Sequence, residues 1–484
     1  MLSKNILLLS SLLGLTAAQT ETVLGLYVFH RHGDRTSKSW PPTTLTDLGY
    51  AQVSGSGSYY NSRYISDNAT TQIHGISANL VKNSQLNIQA PVDPVLQSSA
   101  MGFLQGLYPP VGSTLGSQTL ANGTTVEAPL NGFQLIPVNQ VSSVANTGNS
   151  ENTLWLQGSS GCGNAIISSN NYFISDEYTT MLNKTNDFYH NILPVVNTTF
   201  SATADTFKNA YAIYDYVHVS SIHNSSIPSG QLLTSDIQFQ LRTLADNHEF
   251  NLAYNSTEQI RAIAGATLAA QVVQQLNNTI TGKGAQPVGI QFGAYASFLS
   301  FFGLAQLPAV SDNFTGVVDY ASGMIFELVT NASVSDGYPA PEDISVRFLF
   351  HNGTASENPV STYPLFGQQE TVLSWPTFVT QMNKFAIGDQ ASWCSACGNT
   401  TGVCAASSTS TSSSSSPSPS TGSHSSGMSR AVAGVIGAMV TLAVILGIEA
   451  LVMLAGGLRL VSKKRLATAV PPSNGSQASE AAKA

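Results

Sequence analysis

Apolar residues crowd Thr22–Phe29, TVLGLYVF, with almost no polar interruption. A strand with one wet face alternates apolar and polar residues, whereas one covered on both faces reads as a continuous run. This segment is therefore expected to be a central strand of a covered sheet. The stretch TLTDLGYAQVSGSGSYYNSRY behind it reads as a helix, with Thr44 or Thr46 as N-cap. From about 98 to 250 the pattern is mostly helical or irregular, broken by Gly/Asn-rich stretches. Thr257–Asn278 places apolar residues at i, i+3, i+4 and i+7 and predicts an amphipathic helix. Gln286–Phe292 is a second short apolar strand, followed by the helix YASFLSFFGL; ASGMIFELV and ISVRFLFH form a closing strand pair. Strand, helix, helical insertion, helix, strand predicts an α/β domain with a large helical insertion lobe, over roughly 98–250, and no internal repeat.

The two ends set the compartment. Residues 1–18, MLSKNILLLSSLLGLTAA, carry one early lysine, a short apolar run and small residues before Gln19, which predicts a secretory signal peptide cleaved after Ala18. Ala431–Leu458 is apolar for longer than the ~20 residues that cross a bilayer. Arg459, Lys463, Lys464 and Arg465 follow at once and predict a cytoplasmic tail over 459–484. Residues 405–430 are rich in Ser, Thr and Pro, have nothing apolar to bury, and read as a stalk. The expectation is a single-pass type I membrane protein with a globular ectodomain over 19–404. Eleven Asn-x-Ser/Thr sequons from Asn68 to Asn399 suit a glycosylated surface.

Charge narrows the function classes. Residues 19–429 hold 12 Lys+Arg against 25 Asp+Glu, a net charge of −13 with histidines neutral. Such a surface repels polyanions, so no nucleic-acid partner is expected and any phosphate site must be a local positive cluster. Cys162, Cys394, Cys397 and Cys404 are even in number in an oxidising compartment. Two disulfides are expected, with three pairings open, and no metal site or cofactor.

The local positive cluster is in YVFHRHGDRTSK, Tyr27–Lys38, where a buried strand runs into Arg31, His32 and Arg35. An imidazole can attack phosphorus and hold the phosphoryl group covalently. It needs help, because the transition state spreads charge over the equatorial oxygens, and guanidinium forks match those oxygens. In open α/β sheets such sites gather beyond the carboxyl ends of strands, where these three residues fall. The segment thus offers a nucleophile and two legs of a phosphate cradle.

RHGDRTSK resembles the RHGxRxP signature of the histidine acid phosphatases, in the phosphoglycerate-mutase-like superfamily that includes fungal phytases; Ser37 replaces the proline. LTDLGYAQ (Leu45–Gln52) is similar to the family's LTxLGxxQ segment, SSAMGFLQGLYPP (Ser98–Pro110) to its SAxxxxxGLFPP helix, and YASGMIFELV (Tyr320–Val329) to its YASxxxFEL strand. The resemblance implies His32 as the phosphorylated nucleophile, Arg31 and Arg35 as phosphate ligands, and a phosphomonoester or phosphate as ligand. It also implies a third arginine and a His-Asp pair, of which the histidine contacts phosphate and the aspartate protonates the leaving oxygen. The alignment places Gln89 at the arginine and Gly293 and Ala294 at the pair.

A general acid contributes about 10²–10⁴-fold and one electrostatic stabiliser roughly 10²–10³ in kcat, so a site missing both is expected to be weak or inactive. Two alternatives stand beside that expectation. One is an active acid phosphatase with a substitute acid, for which the loop DNHEF offers Glu249. The other is a non-catalytic surface glycoprotein that binds a phospholigand or is purely structural.

Overall fold

The computed structural model of the 484-residue chain describes residues 21–141, 161–224, 227, 232–335 and 337–405. The expected leader over 1–18, the stalk beyond Ala405, the apolar span over 431–458 and the tail over 459–484 lie outside these residues. Among the described residues no helix is long and apolar enough to cross a membrane.

The run expected as a central strand is β1 (Thr22–Arg31), two residues longer than its apolar part. Helix α1 (Asp47–Tyr60) follows, capped by Thr46, whose hydroxyl accepts from the Gly49 amide. Strand β2 (Leu86–Pro91) leads into α2 (Pro94–Leu107), capped by Asp93. After β3 (Asn139–Val141) come α3 (Ala210–His223), α4 (Ser235–Ala253) and α5 (Ile263–Thr281). Strand β4 (Val288–Gly293), α6 (Tyr295–Leu304), β5 (Gly323–Thr330), β6 (Ile344–His351), β7 (Ser361–Thr362) and β8 (Val372–Ser374) complete the main elements. The sheet runs β8-β6-β5-β1-β4-β2-β3, with β7 beside β6. β1 lies parallel to β4, with Arg31 opposite Gly293, and antiparallel to β5, with His30 opposite Gly323.

Both faces of β1 are covered, which is why its sequence does not alternate. Leu24, Tyr27 and Phe29 pack on Leu268 and Val272 of α5 and Phe298 of α6. Leu26 and Val28 face Val53 of α1 and Phe103 of α2. The start of the helical lobe differs from the expectation. α2 buries Leu96, Ala100, Phe103 and Leu107 in the sheet layer, so residues from 98 to 107 belong to the α/β core. A separate helical core runs from Tyr172 through Tyr189 and Ile213 to Leu244. One bridge, Cys162–Cys397, ties the lobe's first helix to the helix Gln390–Cys397; the other is Cys394–Cys404. The two cysteines of Cys394-x-x-Cys397 thus serve different bridges.

Candidate active site

The loop after β1 is held by two separate segments. Gly33 and Gly49 touch backbone to backbone: a Cβ on Gly33 would stand 2.2 Å from the Gly49 carbonyl oxygen, and one on Gly49 2.0 Å from that of Asp34. The Gly33 amide donates to Ser99 Oγ at 3.2 Å, and the Asp34 amide to Gln52 Oε1 at 2.8 Å. Thr46 Oγ1 donates to Asp34 Oδ1 at 2.5 Å. The segments LTDLGYAQ and SSAMG, far apart from each other in sequence, therefore act together as the frame of this loop.

His32 Nδ1 lies 2.8 Å from the Gly33 carbonyl oxygen. A carbonyl only accepts, so Nδ1 carries the proton and Nε2 is the basic nitrogen of the neutral ring. The ring lies 5.5 Å from that of Tyr320. Arg31 is held by neutral partners: Nη1 donates to the Val318 carbonyl, and the guanidinium lies over Tyr320 at 4.6 Å and Tyr295 at 5.4 Å. Arg35 pairs at 2.9 Å with Asp215 and donates to Tyr211 Oη at 3.3 Å. Asp215 also accepts from Ser37 Oγ and the Lys38 amide, both at 2.9 Å, which gives the serine that replaces the expected proline a structural task. Lys38 brings its ammonium within 5.7 Å of the Tyr211 and Tyr295 rings. The cluster is closed: His32 exposes 1% of its surface, Arg31 4% and Arg35 none.

The later segments bring less chemistry. Gly293 ends β4 directly beside Arg31 and has no side chain; Ala294 is the N-cap of α6 and makes no side-chain capping bond. Gln89 pairs with Gln291, which is level with Phe29, so it stands two residues short of the strand end. It lines a cavity of about 420 Å³ with Tyr27, Gln140 and Gln275, against α5. Glu249 is not in a loop. α4 continues through DNHEF because Leu241, Leu244, Ala245 and His248 keep a buried stripe. Glu249 Oε2 accepts from Tyr295 Oη at 2.7 Å, and Oε1 lies 2.9 Å from His248 Nδ1. It therefore reaches the second ring of the cluster, behind Tyr295. His30 points to the opposite face from Arg31, among Tyr60, Phe103, Phe292 and His351. Burial, then His351, pushes it down to about 3.

α3 supplies groups that the sequence reading missed. Tyr211, Asp215 and His218 stand at i, i+4 and i+7, so one helix face carries all three toward the cluster. The signal was present in YAIYDYVH as polar residues at helical spacing inside an apolar helix. His218 lies 6.0 Å from Tyr320 and stacks on Tyr214 at 5.4 Å. Burial is the main cause that lowers its pKa; Arg242 and Arg31 add to this, while Asp319 and Asp215 oppose it. Beyond Val318, a cavity of about 830 Å³ is lined by Arg242, Asp246, Asp312 and Asp319 among others. Arg242 holds Asp319 at 2.7 Å, and burial pushes Asp246 up to about 6.

The family model for the histidine phosphatase superfamily (branch 2) matches residues 38–351. The chain belongs to that family. No curated protein sequence matches it. The phytase of Klebsiella sp ASR1 superposes with a TM-score of 0.51 at 10% identity, over 77% of this chain and 99% of that one. The Hafnia alvei phytase in complex with myo-inositol hexakis sulphate gives 0.50 at 11%, over 79% and 99%. At such identities the likeness is one of fold, and the histidine phosphatase α/β architecture is common to all three.

Proposed function

We propose that this histidine phosphatase family member is a weak acid phosphatase that forms a phosphohistidine at His32 on phosphomonoesters. One observation carries the reading: an imidazole held at Nδ1 shares the Tyr320 ring with two guanidiniums, and the strand end paired with Arg31, Gly293, has no side chain to donate a proton. Arg31 and Arg35 take the equatorial oxygens and Nε2 attacks phosphorus. Leaving groups that depart as stable anions suffer least from the blank strand end.

The substrate class follows from charge. The cavity that shares Val318 with Arg31 carries Glu177, Asp312 and Asp319 against Arg242, an acidic excess that disfavours esters with several phosphates more than those with one. The expected leader and span place residues 19–404 outside the cell, on a stalk, with 459–484 in the cytoplasm. A second reading, binding of a phospholigand without turnover, draws support from the same strand end, because two guanidiniums can hold a phosphate with no proton donor at Gly293.

The test uses the full-length chain with 4-nitrophenyl phosphate at about pH 4–6, with trapping of the labelled protein. The expected result is slow turnover, a label at His32, and loss of both in His32→Ala. Vanadate should raise the melting temperature, and Arg31→Ala should erase that rise. A vanadate shift without any label would establish the second reading. Neither shift nor label would leave a structural glycoprotein.

A further inference from the structure

The blank end of β4 raises the question of where a proton for the leaving oxygen comes from. The helical lobe answers it. On α3, Tyr211 and Asp215 both reach Arg35, and the next residue on the same face is His218. Its ring packs beside Tyr320, which also flanks His32 and lies under Arg31.

We infer that His218 is the general acid of this site, donating to the leaving oxygen in place of the side chain absent at Ala294. The inference rests on the phosphohistidine reading above. In the first step His32 Nε2 forms the N–P bond while the ester P–O bond breaks. The electron pair stays on the leaving oxygen, which takes the proton from the His218 imidazolium. In the second step a water forms the new O–P bond while the N–P bond breaks and its electron pair returns to His32 Nε2; the water's protons stay on the released phosphate, and His218 regains its proton from solvent.

The surroundings suit a donor. Tyr214 stacks on the ring from its own helix; Arg31 from β1 and Arg242 from α4 make the proton easier to release. Asp215 from α3 and Asp319 from the segment before β5 act the other way and keep the imidazolium accessible in acid. The ring is partly exposed, so it can exchange protons with solvent. An acid is needed in its protonated form, so turnover that depends on it is present at low pH and is lost as pH rises through its lowered pKa. Glu249 is less well placed, because its carboxylate meets Tyr295 and His248 rather than the cluster itself.

The experiment compares glycerol 2-phosphate, whose alkoxide must be protonated, with 4-nitrophenyl phosphate, whose phenolate need not be. His218→Gln in the full-length chain should cut turnover of the alkyl ester by about 10²-fold. It should change the aryl ester only slightly, remove the alkaline limb of the alkyl-ester profile, and be partly restored by added imidazole. Labelling of His32 by the aryl ester in the same variant shows that the site is still folded. Equal losses on both esters with His32 still labelled, or no loss on either, would overturn the acid role and leave the phosphohistidine standing. So would loss of alkyl turnover in Glu249→Gln with His218→Gln unaffected. Absence of the label in the unmutated chain removes the phosphohistidine reading and this inference with it.

Discussion

Arg35 and Asp215 are the most committed pair of charges near His32, with exposures of 0% and 2%. Asp215 accepts from the guanidinium, from Ser37 Oγ and from the Lys38 amide, so its charge is met by three donors. Much of the positive charge on Arg35 is therefore already answered, and Arg31, held by a carbonyl and two ring faces, is the fresher partner for a dianion. Removing one member of such a pair strands the other in a medium that solvates it poorly. Arg35→Ala should cost about 3–5 kcal/mol in urea unfolding. Arg35→Met with Asp215→Leu should recover most of that loss, because two apolar side chains of similar size bury no stranded charge. A double variant as unstable as the single one would mean that the pair holds the loop by geometry rather than by mutual neutralisation.

Among the elements, those made of continuous or periodic apolar runs were readable from the chain. β1, α1, β4, α6 and the β5–β6 pair fall where TVLGLYVF, the LTDLGYAQ helix, QPVGIQF, YASFLSFFGL and the closing strands predict them. Gly293 was also legible, because the parallel register of β1 and β4 sets it beside Arg31. The lobe was harder. DNHEF reads as loop from its polar residues, yet α4 runs through it on a stripe in which a buried histidine takes an apolar place. What α3 offers depends on a long-range docking, Asp215 to Arg35 across 180 residues, which no local pattern contains. The Cys162–Cys397 bridge bears on that docking, since it closes a 235-residue loop between the lobe's first helix and the helix Gln390–Cys397. Bridges across long loops typically stabilise by about 2–4 kcal/mol. Cys162→Ser with Cys397→Ser should raise amide exchange in Gly163–Asn171 and Gln390–Cys397 while β1 stays protected. Uniform acceleration, β1 included, would show that lobe and sheet unfold as one unit.

For the molecule as a whole, buried titratable groups pull stability in opposite directions with pH. Burial, with His351 adding to it, pushes His30 down to about 3, and burial pushes His351 down to about 4. Their contribution is present above pH 6.5 and is lost as pH falls toward those values, since the unfolded chain takes up protons first. Burial pushes Asp205 and Asp246 up to about 6. Their contribution is complete below 3.8 and is lost as pH rises through 6, because the unfolded carboxyls ionise first. Between about pH 4 and 6 the contributions of these two histidines and two carboxyls nearly cancel. Asp205 offers the cleanest separation of the two trends: it is 4% exposed, and neither carboxylate oxygen has a hydrogen-bond partner. Asp205→Asn removes its ionisation and should leave unfolding free energy unchanged near pH 4. At pH 7 the same variant should be more stable by on the order of 2–3 kcal/mol, with the gain growing between those limits. Urea titrations at pH 4, 5, 6 and 7 read this directly, and a gain equal at every pH would mean that the carboxyl is not the group whose ionisation the fold resists.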